Sequence, residues 1–143
     1  MLLSDLISFI KTTQKEKSKK AFPWADAELG QYLSWAFSND YMFVDSDENG
    51  LAGLLIAYPL PYGSDGSIQT LLPSDLGVSR EMEHLKELVI MDGIFKSSKA
   101  RKNITNKFMQ RFPNWKMQKK WATRKLKPTV LSNRYIELTL NLN

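Results

Sequence analysis

Apolar and polar residues follow two different periods along the first third of the chain. Apolar side chains recur at helical spacing over Ser4–Thr13 and again over Asp26–Phe37, which predicts two amphipathic helices. Shorter apolar runs follow at Tyr41–Val44 and Leu51–Tyr58, and the turn between them ends in Asn49-Gly50. Because Asn-Gly is the strongest short-range signal for a tight turn between antiparallel strands, this stretch predicts a β-hairpin.

The second half of the chain predicts a buried strand, a helix and a terminal hairpin. Leu88–Phe95 is apolar at both odd and even positions, as in a strand that is buried on both faces. Ile104–Phe112 carries large apolar residues four apart, which marks one face of a helix. Apolar and polar residues then alternate over Trp115–Lys125 and Arg134–Leu142, which predicts two paired strands with a turn at residues 127–133.

A long polar stretch separates the early hairpin from the buried strand. Leu60–Val78 is rich in Pro, Gly, Ser and Asp, which predicts a long loop that includes a short strand near Ile68–Leu71. Ser79–Glu87 predicts a short polar helix or turn. The predicted order is therefore α-α-β-β-β-α-β-β, in a single domain that spans residues 1–143. This order indicates an α+β or mixed α/β fold, with a mostly antiparallel sheet flanked by helices.

Composition excludes several classes of site. The chain has no cysteine, which excludes disulfides and thiolate metal sites, and its only histidine is His84. We therefore expect no metal site. No apolar run approaches the roughly 20 residues that cross a bilayer. Met1–Ile10 contains Asp5 and lacks the cationic start of a secretory signal. We expect a cytoplasmic location and no membrane partner.

Charge is distributed unevenly along the chain. The net charge is +5, and the interval between Asp92 and Glu137 contains thirteen lysines and arginines but no acidic residue. Such polarity predicts an anionic partner for the C-terminal part: a phosphorylated cofactor, a nucleic acid or an acidic protein surface. A solvated face on a lysine-rich protein is the alternative.

One segment combines features that favour phosphate. The strand Leu88–Phe95 leads into the basic turn Lys96–Asn103, whose serines can cap the helix that follows. Backbone N–H groups at a helix N-terminus point at an anion, the helix dipole favours negative charge, and cationic side chains close around it. Gly93, within the strand, indicates a bulge, a close backbone approach or an ordinary strand glycine. The segment predicts a phosphate cradle in the middle of the fold.

The element order and this strand–turn–helix unit resemble the GNAT superfamily of N-acetyltransferases, over roughly Ser4 to Leu142. The Asn49-Gly50 hairpin resembles the early strand pair of that family, and Leu88–Phe95 resembles its fourth strand. Lys96–Asn103 stands where the family has its pyrophosphate-binding turn, with the family's helix after it. The last two predicted strands resemble its terminal hairpin.

The resemblance implies an acyl-CoA cofactor and transfer of the acyl group to an amine. Ile94 and Phe95 would then face the pantetheine arm, and the pyrophosphate would be surrounded by Lys99, Ala100, Arg101, Lys102 and Asn103. The family's turn usually has a Gln or Arg followed by two glycines, or by a glycine and an alanine. This turn has no glycine. Because side chains obstruct the approach of backbone to phosphate, either the extra positive charge compensates or the site is lost.

Two branches of that superfamily are similar in further details. Toxin-activating lysine acyltransferases have a similar Asp in the central strand and a Phe-Pro after the helix, as Asp92 and Phe112-Pro113 are here, but their histidine has no counterpart beside Pro23-Trp24. Small GNAT-like proteins of tailed phages, some of them virion components, are similar in length, in Lys/Asn-rich composition and in a degenerate turn. That resemblance implies a location in the host cytoplasm or the virion.

Four side chains are candidates for proton transfer. Asp92 is an acid in an apolar strand, where burial would raise its pKa and suit it to general-base work; a strand-edge position or pairing with a lysine is the alternative. His84 can accept a proton near neutral pH, although its charged neighbours are typical of a solvated helix surface. Tyr135 and Tyr58 can donate a proton to a leaving thiolate, or are ordinary half-buried sheet residues.

Tryptophans interleaved with lysines suggest a second kind of partner. Trp115 and Trp121, with Lys116, Lys119 and Lys120, can stack bases and hold phosphates, although tryptophans at even spacing are typical of a core. Two functions therefore stay open. One is an acyl-CoA-dependent N-acyltransferase, and the other is a non-catalytic GNAT-like protein whose basic C-terminal half binds nucleic acid or a protein partner.

Overall fold

The computed structural model describes residues 3–18, 25–59, 80–90, 93–124 and 127–139. Its helices are α1 (Leu3–Ser18), α2 (Asp26–Ser38), α3 (Ser98–Arg111) and α4 (Asn133–Thr139), with a 3₁₀ helix at Arg80–Leu85. Its strands are β1 (Met42–Asp47), β2 (Gly50–Pro59), β3 (Leu88–Ile90), β4 (Ile94–Phe95), β5 (Lys120–Arg124) and β6 (Lys127–Leu131).

The strands form one open six-stranded sheet, and most neighbouring strands are antiparallel. The order across the sheet is β1-β2-β3-β5-β6, and β4 pairs with β2. The exception is the parallel pair β3 and β5, which α3 connects as a crossover. The predicted α+β class with a mostly antiparallel sheet is therefore confirmed, and so are the two early helices and the crossover helix.

The hairpin predicted at Asn49-Gly50 is confirmed by β1 and β2, which pair along the whole of β1 with one register shift after Asp45. Gly50 has a φ of 110°, a conformation that residues with a side chain rarely adopt. The Asp47 carboxylate accepts a hydrogen bond from Asn49 N at 2.8 Å. The turn chemistry itself therefore sets the point at which the chain reverses.

The two faces of β2 pack against different helices. Leu55 is paired with Phe43, whose ring centroid lies 6.1 Å from that of Phe108 on α3. Tyr58 lies on the opposite face, and its ring centroid is 6.3 Å from that of Tyr32 on α2. Since successive side chains of a strand point to opposite faces, β2 is buried between the α1–α2 pair and α3.

The prediction of a last strand at Arg134–Leu142 is wrong, because its described part belongs to helix α4. The Ser132 hydroxyl accepts a hydrogen bond from Tyr135 N at 3.1 Å and so caps the first turn of that helix. Ile136 is buried whereas Leu138 is exposed, so the alternating apolar residues do not line one face of a sheet. The residues predicted as the turn instead form β6, which pairs with β5.

The predicted strand Trp115–Lys125 begins only at Lys120. Residues 113–118 form turns, one of which is closed by a 3.1 Å hydrogen bond from Trp115 N to Phe112 O. Within these turns Trp115 is buried against the core while its neighbours on either side are exposed. The alternation that predicted a longer strand therefore reflects a compact turn that inserts one tryptophan into the core.

The predicted central strand Leu88–Phe95 is divided into β3 and β4, and both pair with β2 in the antiparallel direction. The residues between them, 91 and 92, lie outside the described residues. The predicted loop Leu60–Val78 and the strand near Ile68–Leu71 also lie outside them. The short helix predicted within Ser79–Glu87 is confirmed by the 3₁₀ helix.

Candidate functional site

The first turn of α3 leaves two backbone N–H groups available. Ser97 is the N-cap, since its hydroxyl accepts a hydrogen bond from Ala100 N at 3.1 Å and its carbonyl accepts one from Arg101 N at 3.1 Å. The N–H groups of Ser98 and Lys99 have no acceptor among the described residues. Because the N-terminus of a helix carries partial positive charge, a bound anion would meet these two donors first.

The strand that leads into this turn carries one more residue than its partner. Between the pairs Ala57–Ile90 and Leu54–Ile94, β2 advances by three residues whereas the facing chain advances by four. One extra residue opposite an antiparallel strand is the count of a β-bulge, and Gly93 lies within this interval. A bulge is one of the three interpretations that the sequence left open for Gly93, beside a close backbone approach and an ordinary strand glycine.

Among the described strands, β4 pairs with β2 alone. β5 pairs with β3 through Leu88–Lys120 and Val89–Trp121. Within the described ranges, no pairing joins β4 to β5. The pairing described between the parallel strands β3 and β5 therefore covers only the first two residues of each strand, and α3 starts beyond β4. In open sheets that contain α/β crossovers, ligands bind outside the carboxyl ends of the strands.

A glycine allows α3 to lie directly on the sheet beside this end. A methyl group built at Gly53 would stand 2.6 Å from Ile104 Cδ1 and 3.4 Å from Ala100 Cβ. Ile104 and Ala100 are both buried on the inner face of α3. The close approach at Gly53 therefore fixes the N-terminus of α3 next to the end of β4, independently of any ligand.

Four cationic side chains surround the turn, and none of them forms an ion pair within the part of the chain that the structure describes: Lys96, Lys99, Arg101 and Lys102. Lys96 Nζ lies 5.0 Å from the ring centroid of Phe9, and the Arg101 guanidinium carbon lies 5.4 Å from that of Phe95. Arg101 Nε is buried without a hydrogen-bond partner in the described residues. Among the described residues, the turn therefore carries positive charge that no carboxylate pairs with.

Four of the residues predicted to contact acyl-CoA remain accessible. Lys99 and Lys102 are exposed, and Ile94 and Phe95 of β4 are half-buried. Their positions are compatible with a ligand whose phosphates lie on the helix N-terminus and whose arm follows the strand. The structure brings these four side chains to the same end of the sheet.

Two other predicted contacts are used within the protein. Ala100 is buried against Gly53 and offers only its backbone, whose N–H is already bonded to Ser97. The Asn103 amide donates a 3.2 Å hydrogen bond to Asp45 Oδ2 on β1. Asn103 therefore ties the first turns of α3 to the edge of the sheet, and a ligand would have to compete for its side chain.

His84 does not lie near this turn. It is exposed and follows Glu83, which forms an ion pair with Arg111, the last residue of α3. Because α3 has 14 residues and rises 1.5 Å per residue, its two ends are about 20 Å apart. A histidine at the far end of the helix is badly placed to exchange a proton with a ligand at Lys99.

Tyr135 also belongs to the far end, and Asp92 lies outside the described residues. Tyr135 is exposed on α4. That helix is attached through Asn133, whose amide donates a 3.0 Å hydrogen bond to Lys116 O in the turns that follow α3. Neither His84 nor Tyr135 is therefore brought together with the cationic turn.

Tyr58 is buried in the core beside Tyr32. Burial raises the pKa of Tyr58 to about 12, although a hydrogen bond with Tyr32 partly offsets this effect. Burial also raises the pKa of Tyr32 well above its usual value. A phenol that holds its proton so firmly and lies away from solvent is a structural residue rather than the proton donor considered from the sequence.

The C-terminal end of α3 is held by a buried ion pair that the sequence did not reveal. Arg111 donates hydrogen bonds of 2.6 and 3.0 Å to the two carboxylate oxygens of Glu83, and Tyr41 donates one of 2.5 Å to the same group. Burial by itself lowers the pKa of Arg111, but the hydrogen bonds and charge of Glu83 outweigh burial and raise it. Every oxygen of the carboxylate is thus occupied, which leaves no room for a ligand.

The two tryptophans flanked by lysines are engaged within the protein. Trp115 is buried against Phe108, with ring centroids 6.2 Å apart. The indole N–H of Trp121 donates to Glu87 at 3.1 Å, and Lys119 Nζ lies 4.7 Å from its ring centroid. Lys120 is buried too, and burial lowers its pKa. Lys120 donates to the carbonyls of the preceding turns instead of facing solvent.

Neither metal ligands nor a membrane-spanning segment occurs in the described ranges. No three His, Cys, Asp or Glu side chains there are grouped closely enough to hold a metal ion. None of the described helices has both the length and the apolar character needed to cross a bilayer. Comparison with protein-family models, curated proteins and solved structures finds no match to this chain.

Proposed function

We propose that this chain is a GNAT-like N-acyltransferase that binds acyl-CoA at the N-terminal turn of α3. The observation that carries the proposal is the pair of N–H groups at Ser98 and Lys99, which meet no acceptor among the described residues and lie next to lysines that form no ion pair there. The extra residue before β4, and the fact that β4 pairs with β2 alone among the described strands, add support, because both occur next to the start of α3.

Each accessible residue has a defined part in this proposal. The N–H groups of Ser98 and Lys99, with the ammonium groups of Lys99 and Lys102, hold the pyrophosphate. Ile94 and Phe95 lie along the pantetheine arm. When bound, acyl-CoA supplies an activated thioester, and the chain binds and orients it. The base that accepts the proton of the amine is Asp92 or a bound water, an assignment that rests on the sequence alone.

A specific observation favours a second candidate, a non-catalytic GNAT-like protein. His84 and Tyr135 lie at the opposite end of α3, so neither is placed beside the turn among the residues that the structure describes. In this case the turn binds an anionic partner and catalyses no reaction. Binding of nucleic acid there would weaken steeply with added salt, because phosphate contacts release counterions.

The test is a titration with acetyl-CoA, followed by calorimetry and by the thermal midpoint of unfolding. We expect saturable binding and a midpoint that rises with ligand concentration. The double substitution Lys99→Gln/Lys102→Gln should weaken binding about tenfold, since it removes two charge-assisted contacts to phosphate. Lys107→Gln is the matched control, because Lys107 is exposed on the same helix but bonds to Val44 O, about two turns from Lys99.

Release of free thiol from acetyl-CoA in the presence of small amines then separates the two candidates. Thiol release that depends on the amine supports the acyltransferase. Binding without release supports the non-catalytic protein. If millimolar acetyl-CoA produces neither heat nor a shift in the midpoint, or if the control loses as much affinity as the double variant, the assignment of the turn is wrong.

A further inference from the structure

Three segments meet at the end of α3 opposite its first turn: the 3₁₀ helix, the turns after α3 and helix α4. The Gln118 side chain donates hydrogen bonds of 2.9 Å to Glu83 O and 2.7 Å to Lys86 O, which ties the 3₁₀ helix to the turns after α3. Asn133 donates to Lys116 O at 3.0 Å, which ties α4 to the same turns. Residues from three separate parts of the chain therefore form one hydrogen-bonded surface.

This surface exposes an unusual number of large apolar side chains. Met117 is 89% exposed, Leu85 64%, Leu138 55% and Tyr135 43%. A single exposed apolar residue needs no explanation. A group of them on adjoining segments is typical of a docking surface. We call this group, with the cations Lys116, Lys119 and Arg134 around it, the Met117 surface.

The charge that faces solvent around these apolar residues is positive. Lys116 lies 3.7 Å from Glu137, but the lysine side chain is 63% exposed and the carboxylate side chain only 26%. Lys119 Nζ lies 3.9 Å from Glu87 Oε1, and here too the lysine side chain is more exposed, at 47%, than the carboxylate side chain, at 23%. Arg134 is also exposed. In both pairs the lysine is the more exposed side chain, so an approaching partner meets more of the lysines than of the carboxylates beside these apolar residues.

We infer that the Met117 surface docks an acidic amphipathic segment of a protein partner. Aliphatic side chains at its centre have no counterpart on a nucleic acid backbone, and the nearby tryptophans are buried or bonded to Glu87. A second copy of the chain would bring cations against cations, which disfavours a symmetric dimer. A partner that presents Glu or Asp beside Leu or Phe matches both features of the surface.

The test uses a labelled synthetic helix of Glu, Leu and Ala, with fluorescence anisotropy as the readout and the full chain as the binder. We expect Met117→Ser, and separately Lys116→Gln/Lys119→Gln, to weaken binding about tenfold. Phe37→Ser is the apolar control, since Phe37 is also exposed, at 65%, but lies on α2. Lys99→Gln/Lys102→Gln is the charge control, at the other end of α3. Both controls should bind the peptide like the original chain.

The outcomes separate this inference from the proposed function. The Lys116 and Lys119 pair should leave acetyl-CoA affinity unchanged, while the Lys99 and Lys102 pair should leave peptide affinity unchanged. Circular dichroism checks that every variant folds. The inference is overturned if a peptide with Lys in place of Glu binds as tightly as the original peptide. It is also overturned if the two double lysine variants lose the same affinity for the original peptide. It is also overturned if the original chain binds vesicles of phosphatidylcholine and phosphatidylserine through Lys116 and Lys119, which would assign the surface to lipid.

Discussion

At its C-terminal end α3 carries Arg111, whose half-buried guanidinium is hydrogen-bonded to the buried Glu83. At its N-terminal end it carries Lys99 and Lys102, which are exposed and form no ion pair among the described residues. The helix dipole makes the first arrangement favourable and the second unfavourable, since cations stabilise a helix near its C-terminus and destabilise it near its N-terminus.

The two ends of α3 therefore have different roles: the C-terminal end stabilises the fold, and the N-terminal end carries the charges of the proposed site. Arg111 stabilises the fold through contacts that are complete without any further molecule. The lysines of the first turn contribute nothing to the fold that the described contacts can account for, and they raise the positive potential around two open N–H groups. A bound anion is the partner that would make their position favourable, which is the physical basis for the proposed cofactor site.

The largest effect should come from Arg111→Met. The substitution leaves the Glu83 carboxylate buried with Tyr41 as its remaining side-chain partner, so the free energy of unfolding should fall by about 3–5 kcal/mol. Urea denaturation measures the loss. Lys107→Met, which removes a single hydrogen bond from an exposed side chain, should cost about 1 kcal/mol or less. If the two substitutions cost the same, the ion pair does not hold the end of α3.

An intermediate effect is expected from Gly53→Ala. The new methyl group would meet Ile104 Cδ1 at 2.6 Å and the Ile94 carbonyl at 3.2 Å, so the free energy of unfolding should fall by about 1–3 kcal/mol. Because the clash displaces the first turn of α3, acetyl-CoA should bind less tightly as well.

Gly30→Ala is the control for that substitution. Its methyl group would lie 3.4 Å from Leu3 Cδ2, and alanine favours the helical backbone of α2, so the free energy of unfolding should rise by up to about 1 kcal/mol. Chemical denaturation and calorimetry with acetyl-CoA measure both quantities for each variant. Equal destabilisation by both variants would contradict the close approach at Gly53.

The smallest effect on stability, and the one most specific to function, is expected from Lys99→Gln. Removing a cation from the first turn should raise the free energy of unfolding by about 0.3 kcal/mol, because the helix dipole opposes positive charge there. The same substitution should weaken acetyl-CoA binding. Thermal denaturation with and without ligand measures the two changes on one sample. A variant that loses both stability and affinity would show that Lys99 is a structural residue.

Local signals in the sequence predicted much of the fold. Asn49-Gly50 placed the hairpin, and the serines before Ile104 placed the cap of α3, because each acts through contacts within a few residues. The segment after Arg134 was predicted wrongly. Its apolar residues alternate as in a strand, but a serine cap and the burial of Ile136 alone favour a short helix. In so short a segment, the two-residue period of a strand and the 3.6-residue period of a helix differ too little for the apolar pattern to distinguish them.

The candidate site was predictable in part for the same reason. A strand, a basic turn and a helix N-terminus are consecutive in sequence, so their proximity needs no tertiary contact. The candidates for proton transfer are different, because they were chosen by the chemistry of their side chains and are not close to the turn in sequence. His84 and Tyr135 lie beyond the far end of α3, and nothing in their local sequence indicates that distance.

The sequence by itself determined the early hairpin, the crossover helix with its capped and cationic first turn, and the charge of the C-terminal half, since these depend on residues close together in the chain. Only the tertiary structure decided that Glu83 meets Arg111 across 28 residues, that Gly53 admits α3 onto the sheet and that Trp115 enters the core. Those contacts depend on how strands align in the sheet, and alignment is set by the packing of both faces at once.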